Sequence, residues 1–144
     1  MAGDVPEAVQ ARARGEHPTL WLTFQGVVPR AQIPGLDRSA HLFYAAEINP
    51  PCPNSVIEAL ACGLPVVGFA TGSMPELIRG DAGRLAPYGG DPWRLEQPDF
   101  QALARAAAEI AAGGERFRRA ARERAEQAFD LDGMVAAYLR ALAG

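Results

Sequence analysis

The stretch "EINPPCPNSVIEALACGLPVVGFATGSMPE", Glu47–Glu76, contains two helix starts separated by one strand. Ser55–Glu58 and Ser73–Glu76 each fit a capping box, in which the serine hydroxyl accepts an amide N–H and the glutamate reaches back to the cap. Residues 65–69 are short and β-branched, which predicts a buried strand between the two helices. The first helix is expected to end at Gly63.

The order loop, helix, strand, loop, helix is typical of an α/β domain with a parallel sheet. Both helix starts then lie at the carboxyl edge of the sheet. Free N–H groups and the helix dipole favour a negatively charged ligand there. Both helix starts are therefore candidate anion sites.

The rest of the chain supplies further elements of the same kind. The prolines at 50, 51 and 53 predict a stiff, irregular loop before the first capping box. Asp99 is expected to cap a long helix, and an apolar stripe marks the last helix. No internal repeat divides the sequence, so we expect one domain over residues 1–144. The predicted helices cover residues 5–15, 36–40, 100–112, 115–129 and 132–143, and the predicted strands cover 20–24, 42–45 and 83–86.

Composition limits the classes of partner. The 144 residues include 49% hydrophobic ones, enough for one core, and the net charge of -3 gives no concentrated positive field for nucleic acid. All 14 basic residues are arginine. Those at 116–124 alternate with glutamates, which predicts a solvated helix face rather than a basic binding patch.

The two cysteines, Cys52 and Cys62, form neither a CxxC motif nor a cluster with histidine. A zinc site is therefore not expected, and reduced thiols in the cytoplasm are the predicted state. No apolar run is long enough to span a membrane, and the first residues lack a signal-peptide core. We expect a soluble protein, and the sequence leaves open whether it contacts a membrane surface.

The motif "EALACGLPVV", followed by G-x-x-P-E at Gly72–Glu76, carries a family resemblance. Together with the preceding "FQGVVPRAQIPGLDRSAHLFYAAEINPPCPN", it resembles the carboxyl-terminal, donor-binding domain of retaining glycosyltransferases of the GT-B fold, family 4 in particular. The resemblance covers nearly the whole chain. It implies a Rossmann-like parallel sheet flanked by helices, with a helical carboxyl-terminal tail.

The resemblance also implies a reaction. Such enzymes transfer a sugar, here of hexosyl type, from a nucleotide-diphosphate donor to an acceptor hydroxyl, with retention at the anomeric carbon and without a required metal. No cofactor is expected, because the nucleotide-sugar is a substrate. UDP is the commoner nucleotide in the family, whereas the sugar and the acceptor stay open.

By the same resemblance, individual residues acquire donor-binding roles. Glu58 is expected to accept hydrogen bonds from the ribose hydroxyls, and one carboxylate can serve two vicinal hydroxyls. The other expected donor-binding residues are Asn54, Ser55 and Val56 through backbone N–H groups, Val28 and Arg30 beside the base, and Gly72 and Glu76.

A purely structural role stays open for three of these residues. Glu58 can simply close its capping box, and Glu76 fits the first turn of a helix without any ligand. Gly72 can simply provide a turn that needs a positive φ.

Two departures from the family pattern are visible in the sequence. The family has a first acidic residue eight positions before the glutamate that corresponds to Glu58, and this position is Pro50 here. The family also has a strand ahead of the Gly3-Asp4 turn, an arginine–lysine pair before it, and an amino-terminal acceptor-binding domain. We therefore expect a fragment of a longer enzyme or a misplaced start, inactive by itself.

Two other classes of protein differ from a glycosyltransferase donor domain in what they predict for these residues. A non-catalytic nucleotide-sugar-binding or structural module of the same fold agrees with Pro50 and with the missing half. A nicotinamide oxidoreductase is disfavoured, because Gly68–Gly72 lacks the G-x-G-x-x-G spacing.

Overall fold

In the computed structural model, three short strands pair in parallel in the order β1-β2-β3. They are β1 at Phe43–Tyr44, β2 at Val66–Phe69 and β3 at Gly83–Ala86. Val67 of β2 pairs with Tyr44 on one side and with Arg84 on the other. Every residue of β2 is buried, as expected for a central strand of an α/β sheet. The predicted parallel α/β fold is confirmed.

The structure describes residues 4–16 and 19–143. The predicted turn residues Ala2 and Gly3 lie outside this range. The contacts group the chain into two units, Met1–Gly35 and Leu36–Gly144. No helix in the described ranges is long and apolar enough to cross a membrane. The helices are α1 Glu7–Glu16, α2 Ile33–Ser39, α3 Asn54–Ala61, α4 Met74–Leu77, α5 Phe100–Gly113, α6 Glu115–Ala128 and α7 Leu131–Ala143.

In the first unit, the strand predicted over residues 20–24 is wrong. Leu20 is 59% exposed and Trp21 is fully exposed. A strand requires a hydrogen-bonded neighbour, and in the described residues no strand pairs with this segment. High β-propensity alone therefore did not produce a strand here.

Helix α2 starts earlier than predicted. The prediction began at Leu36 because Pro34 and Gly35 disfavour a helix interior. The helix instead begins at Ile33, which places Pro34 in the first turn. Proline is tolerated there because the first amides of a helix have no intrahelical acceptor.

The second unit has two apolar clusters, to which Val66 and Val67 of β2 contribute separately. Successive residues of a strand point to opposite faces, so the clusters lie on the two faces of the sheet. The cluster around Val66 includes residues of α3, α4 and α6, whereas the cluster around Val67 includes residues of α5 and also Phe117 of α6. The sheet is therefore covered by helices on both faces.

The turn between α3 and β2 forms where the sequence predicted it. Gly63 has φ +69, its amide donates to the Leu60 carbonyl at 2.9 Å, and the Leu64 amide donates to the Ala59 carbonyl at 2.9 Å. This pair of bonds is a Schellman motif, and glycine suits its left-handed position. After this turn the chain enters β2, the central strand of the sheet.

The helices after β3 agree closely with the prediction, but the final one is not buried. Asp99 Oδ1 accepts the Ala102 amide at 2.8 Å and caps α5, as predicted. The apolar stripe of α7 is exposed, with Tyr138 at 65% and Leu142 at 83%. In the described residues, α7 contributes no buried side chain.

The solvated face predicted for α6 forms in part, since Arg116, Arg119 and Arg122 are exposed, but three arginines of the helix also bind backbone carbonyls. Arg118 donates to the Ala40 carbonyl at 2.8 Å, and Arg124 donates to the Glu76 carbonyl at 2.7 Å. Arg122 donates to the Ala61 carbonyl. These carbonyls lie at or just beyond the carboxyl ends of α2, α4 and α3, where the last turn leaves acceptors unpaired. The three arginines therefore cap three helices.

A second group of charges joins β3 to the helices beside it. Arg84 Nη2 lies 2.9 Å from Asp81 Oδ1, and Arg84 Nε lies 2.7 Å from Glu109 Oε1. Arg116 Nε lies 3.3 Å from Asp81 Oδ2. The hydrogen bond from Arg84, followed by the charge of Arg116, lowers the pKa of the Asp81 carboxyl.

The loop after β1 and the loop after β2 are in direct contact. The Ser73 amide donates to the Pro50 carbonyl at 2.9 Å. Gly72 has φ +53, and a Cβ there would lie 2.5 Å from the Pro50 carbonyl oxygen. Only glycine therefore fits against this backbone.

Gly72→Ala is expected to lower the free energy of unfolding by about 2–3 kcal/mol, because a left-handed alanine is strained and its Cβ meets backbone atoms. Urea unfolding of the purified chain measures this change. Gly80→Ala is the matched control, since Gly80 has φ +57 but a methyl group at its Cα would meet nothing within 4 Å. An equal loss in both variants would show that the contact with Pro50 has no effect.

Asp81→Asn is expected to lower the melting temperature by about 1–3 °C at pH 7, because the ionised carboxylate is favoured in the folded state. The lowered pKa gives a stabilisation that is present above the ordinary aspartate pKa and is lost as the pH falls through the lowered value. The difference in melting temperature between Asp81→Asn and the unmodified chain should therefore become smaller as the pH falls below the ordinary aspartate pKa.

Thermal unfolding followed by circular dichroism between pH 7 and pH 3 checks this dependence. Glu123→Gln, which removes an exposed carboxylate from the middle of α6, is the control. If the melting temperatures of Asp81→Asn and of the unmodified chain differed by the same amount at every pH down to 3, the stabilisation would not come from the ionised carboxylate.

Candidate functional site

The start of α3 lies at the carboxyl edge of the sheet, next to the end of β1. The chain leaves Tyr44 through an irregular segment with its prolines at 50, 51 and 53, as predicted, and Asn54 is the first helical residue. Pro53 precedes the helix in an extended conformation. Loops at this edge of a parallel sheet are the usual place for a ligand in open α/β folds.

The capping box predicted for Ser55–Glu58 is wrong. The helix begins one residue before Ser55, so Ser55 occupies the second helical position instead of the cap. In the described residues, no side chain caps this helix start. Pro53 occupies the cap position, and it has no hydroxyl or carboxylate with which to accept an amide.

The absence of a side-chain cap leaves two backbone donors available. The Val56 amide donates to the Pro53 carbonyl at 3.0 Å, and the Val56 side chain is completely buried. The amides of Asn54 and Ser55 have no protein acceptor in ranges 4–16 and 19–143. Both residues are exposed, so these two amides can donate to an external acceptor.

Glu58 is exposed on the second turn of α3. Asn54 and Glu58 are four residues apart and therefore share a face of the helix, about 6 Å apart along its axis. In the described part of the chain, the Glu58 carboxylate forms no hydrogen bond or ion pair. Because the carboxylate is not part of a capping box, it can accept hydrogen bonds from two hydroxyl groups of a ligand.

The start of α4 is closed, in contrast to that of α3. Ser73 precedes the helix without a side-chain cap, and its hydroxyl oxygen is buried with no partner in the described structure. The Ser73 amide is engaged by the Pro50 carbonyl. The second predicted capping box is therefore wrong. The amides at the start of α4 therefore do not form the second open anion site that the sequence predicted.

Gly72 and Glu76 lie beside this closed helix start. The positive φ predicted for Gly72 is confirmed at +53, and the neighbour that requires it is the Pro50 backbone. Glu76 is exposed, its amide donates to the Ser73 carbonyl at 3.0 Å, and its carbonyl accepts from Arg124. Their donor-binding roles stay predictions.

Val28 and Arg30 belong to the first unit. Val28 is half-buried, and Arg30 is exposed at the start of a 3-10 turn, Arg30–Gln32. The Gln32 amide donates to the Pro29 carbonyl at 2.8 Å and closes this turn. Their predicted place beside the base stays a prediction.

Asp37 was not identified from the sequence. It lies half-buried on α2, and burial, followed by the negative charge of Glu58, raises the pKa of its carboxyl. Burial also raises the pKa of the Cys62 thiol, with a second contribution from Asp37. Asp37 and Glu58 are 21 positions apart in sequence and follow no motif, so only the fold reveals that their charges interact.

The chemical character of the site follows from these groups. An acceptor-only carboxylate and two free amide donors lie on one short helix, a set that suits a ligand carrying both hydroxyls and negative charge. Within the described ranges, no three His, Cys, Asp or Glu side chains are grouped so that they could hold a metal ion.

Comparison with known proteins identifies relatives that are much longer than this chain. The O-antigen chain mannosyltransferase B of Escherichia coli is 35% identical over 66 residues, which cover 46% of this chain and 17% of the relative.

Two solved structures share the fold. The pneumococcal O-GlcNAc transferase GtfA, in complex with UDP and GlcNAc, superposes with a TM-score of 0.72 at 18% identity, over 95% of this chain and 27% of that one. Anabaena HepE, in complex with UDP and glucose, gives a TM-score of 0.57 at 24% identity, over 99% of this chain and 39% of that one.

The sequence profile described as Glycosyl transferases group 1 matches residues 1–113, well over half of the chain. The α/β fold agrees with that of the GT-B glycosyltransferase structures. The chain therefore belongs to the group 1 glycosyltransferases.

Proposed function

We propose that this chain is the donor-binding part of a retaining glycosyltransferase that uses a nucleotide-diphosphate hexose, with UDP as the nucleotide. The observation that carries the proposal is the start of α3, where two free amides and the Glu58 carboxylate lie on one helix. The diphosphate would accept from the amides of Asn54 and Ser55. Glu58 would accept from the ribose hydroxyls.

The known relatives support this choice of ligand. Both solved structures described above are complexes with UDP, one with GlcNAc and the other with glucose. In the same proposal, Gly72 and Glu76 contribute on the side of the sugar. The roles of Val28 and Arg30 beside the base stay predictions from the family resemblance. No metal is required, because the donor phosphates are held by amides.

We further propose that catalysis requires an acceptor-binding domain in addition to this chain. The matched residues cover 17% of the mannosyltransferase relative and 27% and 39% of the two solved structures. By itself it should bind the donor without turnover. The unpaired thiols of Cys52 and Cys62 agree with a cytoplasmic location for the whole enzyme.

A non-catalytic nucleotide-sugar-binding module is the alternative function, and one observation favours it. Pro50 stands where the family has an acidic residue, and its carbonyl is engaged by the Ser73 amide. A proline cannot contact the transferred sugar through a charge or an N–H group. In this alternative, nucleotide binding at Glu58 persists in the complete protein, and transfer does not.

Glu58→Ala is expected to weaken UDP binding by about 10- to 100-fold, because hydrogen bonds between a carboxylate and ribose hydroxyls contribute about 1.5–3 kcal/mol. Titration calorimetry with UDP, with EDTA present, measures the dissociation constant. The melting temperature without UDP should not fall, since the Glu58 charge makes no ion pair in the described residues and disfavours the ionised Asp37.

Glu76→Ala is the matched control, since it removes an exposed glutamate from the neighbouring helix. It should change the dissociation constant for UDP by less than about threefold. If Glu76→Ala weakened binding more than Glu58→Ala, the assignment of the ribose to Glu58 would be wrong. Absence of saturable UDP binding by the unmodified chain would reject both proposed functions.

Pro50→Glu restores the acidic residue that the family carries eight positions before Glu58. Pro50 is buried, so the glutamate is expected to cost stability, and circular dichroism must first show that the variant is folded. In the folded variant, the affinity for a UDP-hexose relative to UDP should improve by about threefold or more, because a carboxylate can accept from sugar hydroxyls. Paired titrations with UDP-glucose and UDP measure this ratio.

Pro51→Glu places the same charge on the exposed neighbouring residue and serves as the control. The ratio should stay unchanged in that variant. Equal ratios in Pro50→Glu and in the unmodified chain would show that position 50 does not face the sugar.

A further inference from the structure

Helix α6 reaches the end of the helix that carries the candidate site. Arg122 donates from Nη1 to the carbonyl of Ala61, the last residue of α3. Its Cβ also lies 3.8 Å from the position that a side chain at Gly63 would occupy, so the arginine covers the turn that follows α3. The contact joins residues 61 positions apart in sequence.

The guanidinium of Arg122 is itself held in place. Its Nε lies 2.7 Å from Oε1 of Glu126, one turn further along α6. Ala121 and Ala125 of α6 pack in the same buried cluster as Val56, Ala59 and Leu60 of α3. The bond from Arg122 to Ala61 is therefore made from a helix already packed against α3, by a side chain oriented by its neighbour.

A short helix transmits such a restraint from one end to the other. The eight residues of α3 span about 12 Å, and Glu58 lies midway between the free amides and the carbonyl that Arg122 binds. A tilt at Ala61 therefore moves both Glu58 and the first turn. A positive charge at the carboxyl end also favours the helix dipole.

We propose that Arg122 is a positioning residue for the donor site, which fixes α3 by binding the Ala61 carbonyl while Glu126 orients its guanidinium. This inference rests on the proposed function, because it concerns UDP binding at the opposite end of α3. Arg122 does not touch the ligand. Its effect on binding is exerted through Glu58 and the amides of Asn54 and Ser55.

Arg122→Ala is expected to weaken UDP binding by about three- to tenfold, the range typical of residues that act on a site without contacting it. Titration calorimetry is performed on the whole 144-residue chain, well below the melting temperature of each variant. Arg122→Lys should restore most of the affinity, because lysine can still donate one hydrogen bond to the carbonyl.

Two control variants separate positioning from stability. Arg119→Ala removes an exposed arginine that makes no hydrogen bond or ion pair in the described residues, and it should change neither affinity nor melting temperature. Arg116→Ala breaks the ion pair with Asp81 and should lower the melting temperature without changing the dissociation constant for UDP.

The possible results distinguish this inference from the proposed function. If the unmodified chain does not bind UDP, the proposed function fails. If it binds UDP and Arg122→Ala binds equally well, or if Arg116→Ala weakens binding as much, the positioning role is overturned and the proposed function stands. If Arg122→Ala does not fold, Glu126→Gln is the deciding variant, because it removes the carboxylate that orients Arg122. UDP binding weakened by about twofold supports the positioning role, and unchanged UDP binding rejects it.

Discussion

The hydrogen bond from the Ser73 amide to the Pro50 carbonyl ties together the two loops that leave the central strands. It is possible because β1 and β2 are parallel neighbours, so that both loops emerge at the same edge of the sheet. Gly72 allows the close approach, since any Cβ at this position would overlap the Pro50 backbone. The position of the chain that enters α3 depends on this contact.

The same contact makes the two helix starts different. The loop before α3 uses its own carbonyl to accept the amide of Ser73, immediately before α4, whereas no protein acceptor in the described residues satisfies the amides of Asn54 and Ser55. Unpaired amides at a helix start are stabilised by water or by an anion. The asymmetry between two nearly identical sequence patterns therefore results from tertiary structure, and it confines the candidate site to one helix.

Much of this fold could be predicted from local sequence, because its signals are local. Gly63 ends α3, the β-branched residues of β2 form the buried central strand, and Asp99 caps α5. Predictions failed where the outcome depended on distant partners. Residues 20–24 had strand propensity, but in the described residues no strand of the sheet pairs with them. Ser73 had a capping sequence beside a loop that had already engaged its amide.

The arginines of α6 show why a charge pattern is a weak guide to function. Their alternation with glutamate is what a solvated helix would have, yet Arg118 and Arg124 each donate to two carbonyls at or just beyond the ends of other helices. A planar guanidinium can bind two such acceptors at once, which a lysine ammonium on a flexible stem does less well. The chain contains 14 arginines and no lysine, and on this helix the choice has a structural use. Since capping these carbonyls requires helix ends separated widely in sequence to converge on α6, no local pattern could have revealed it.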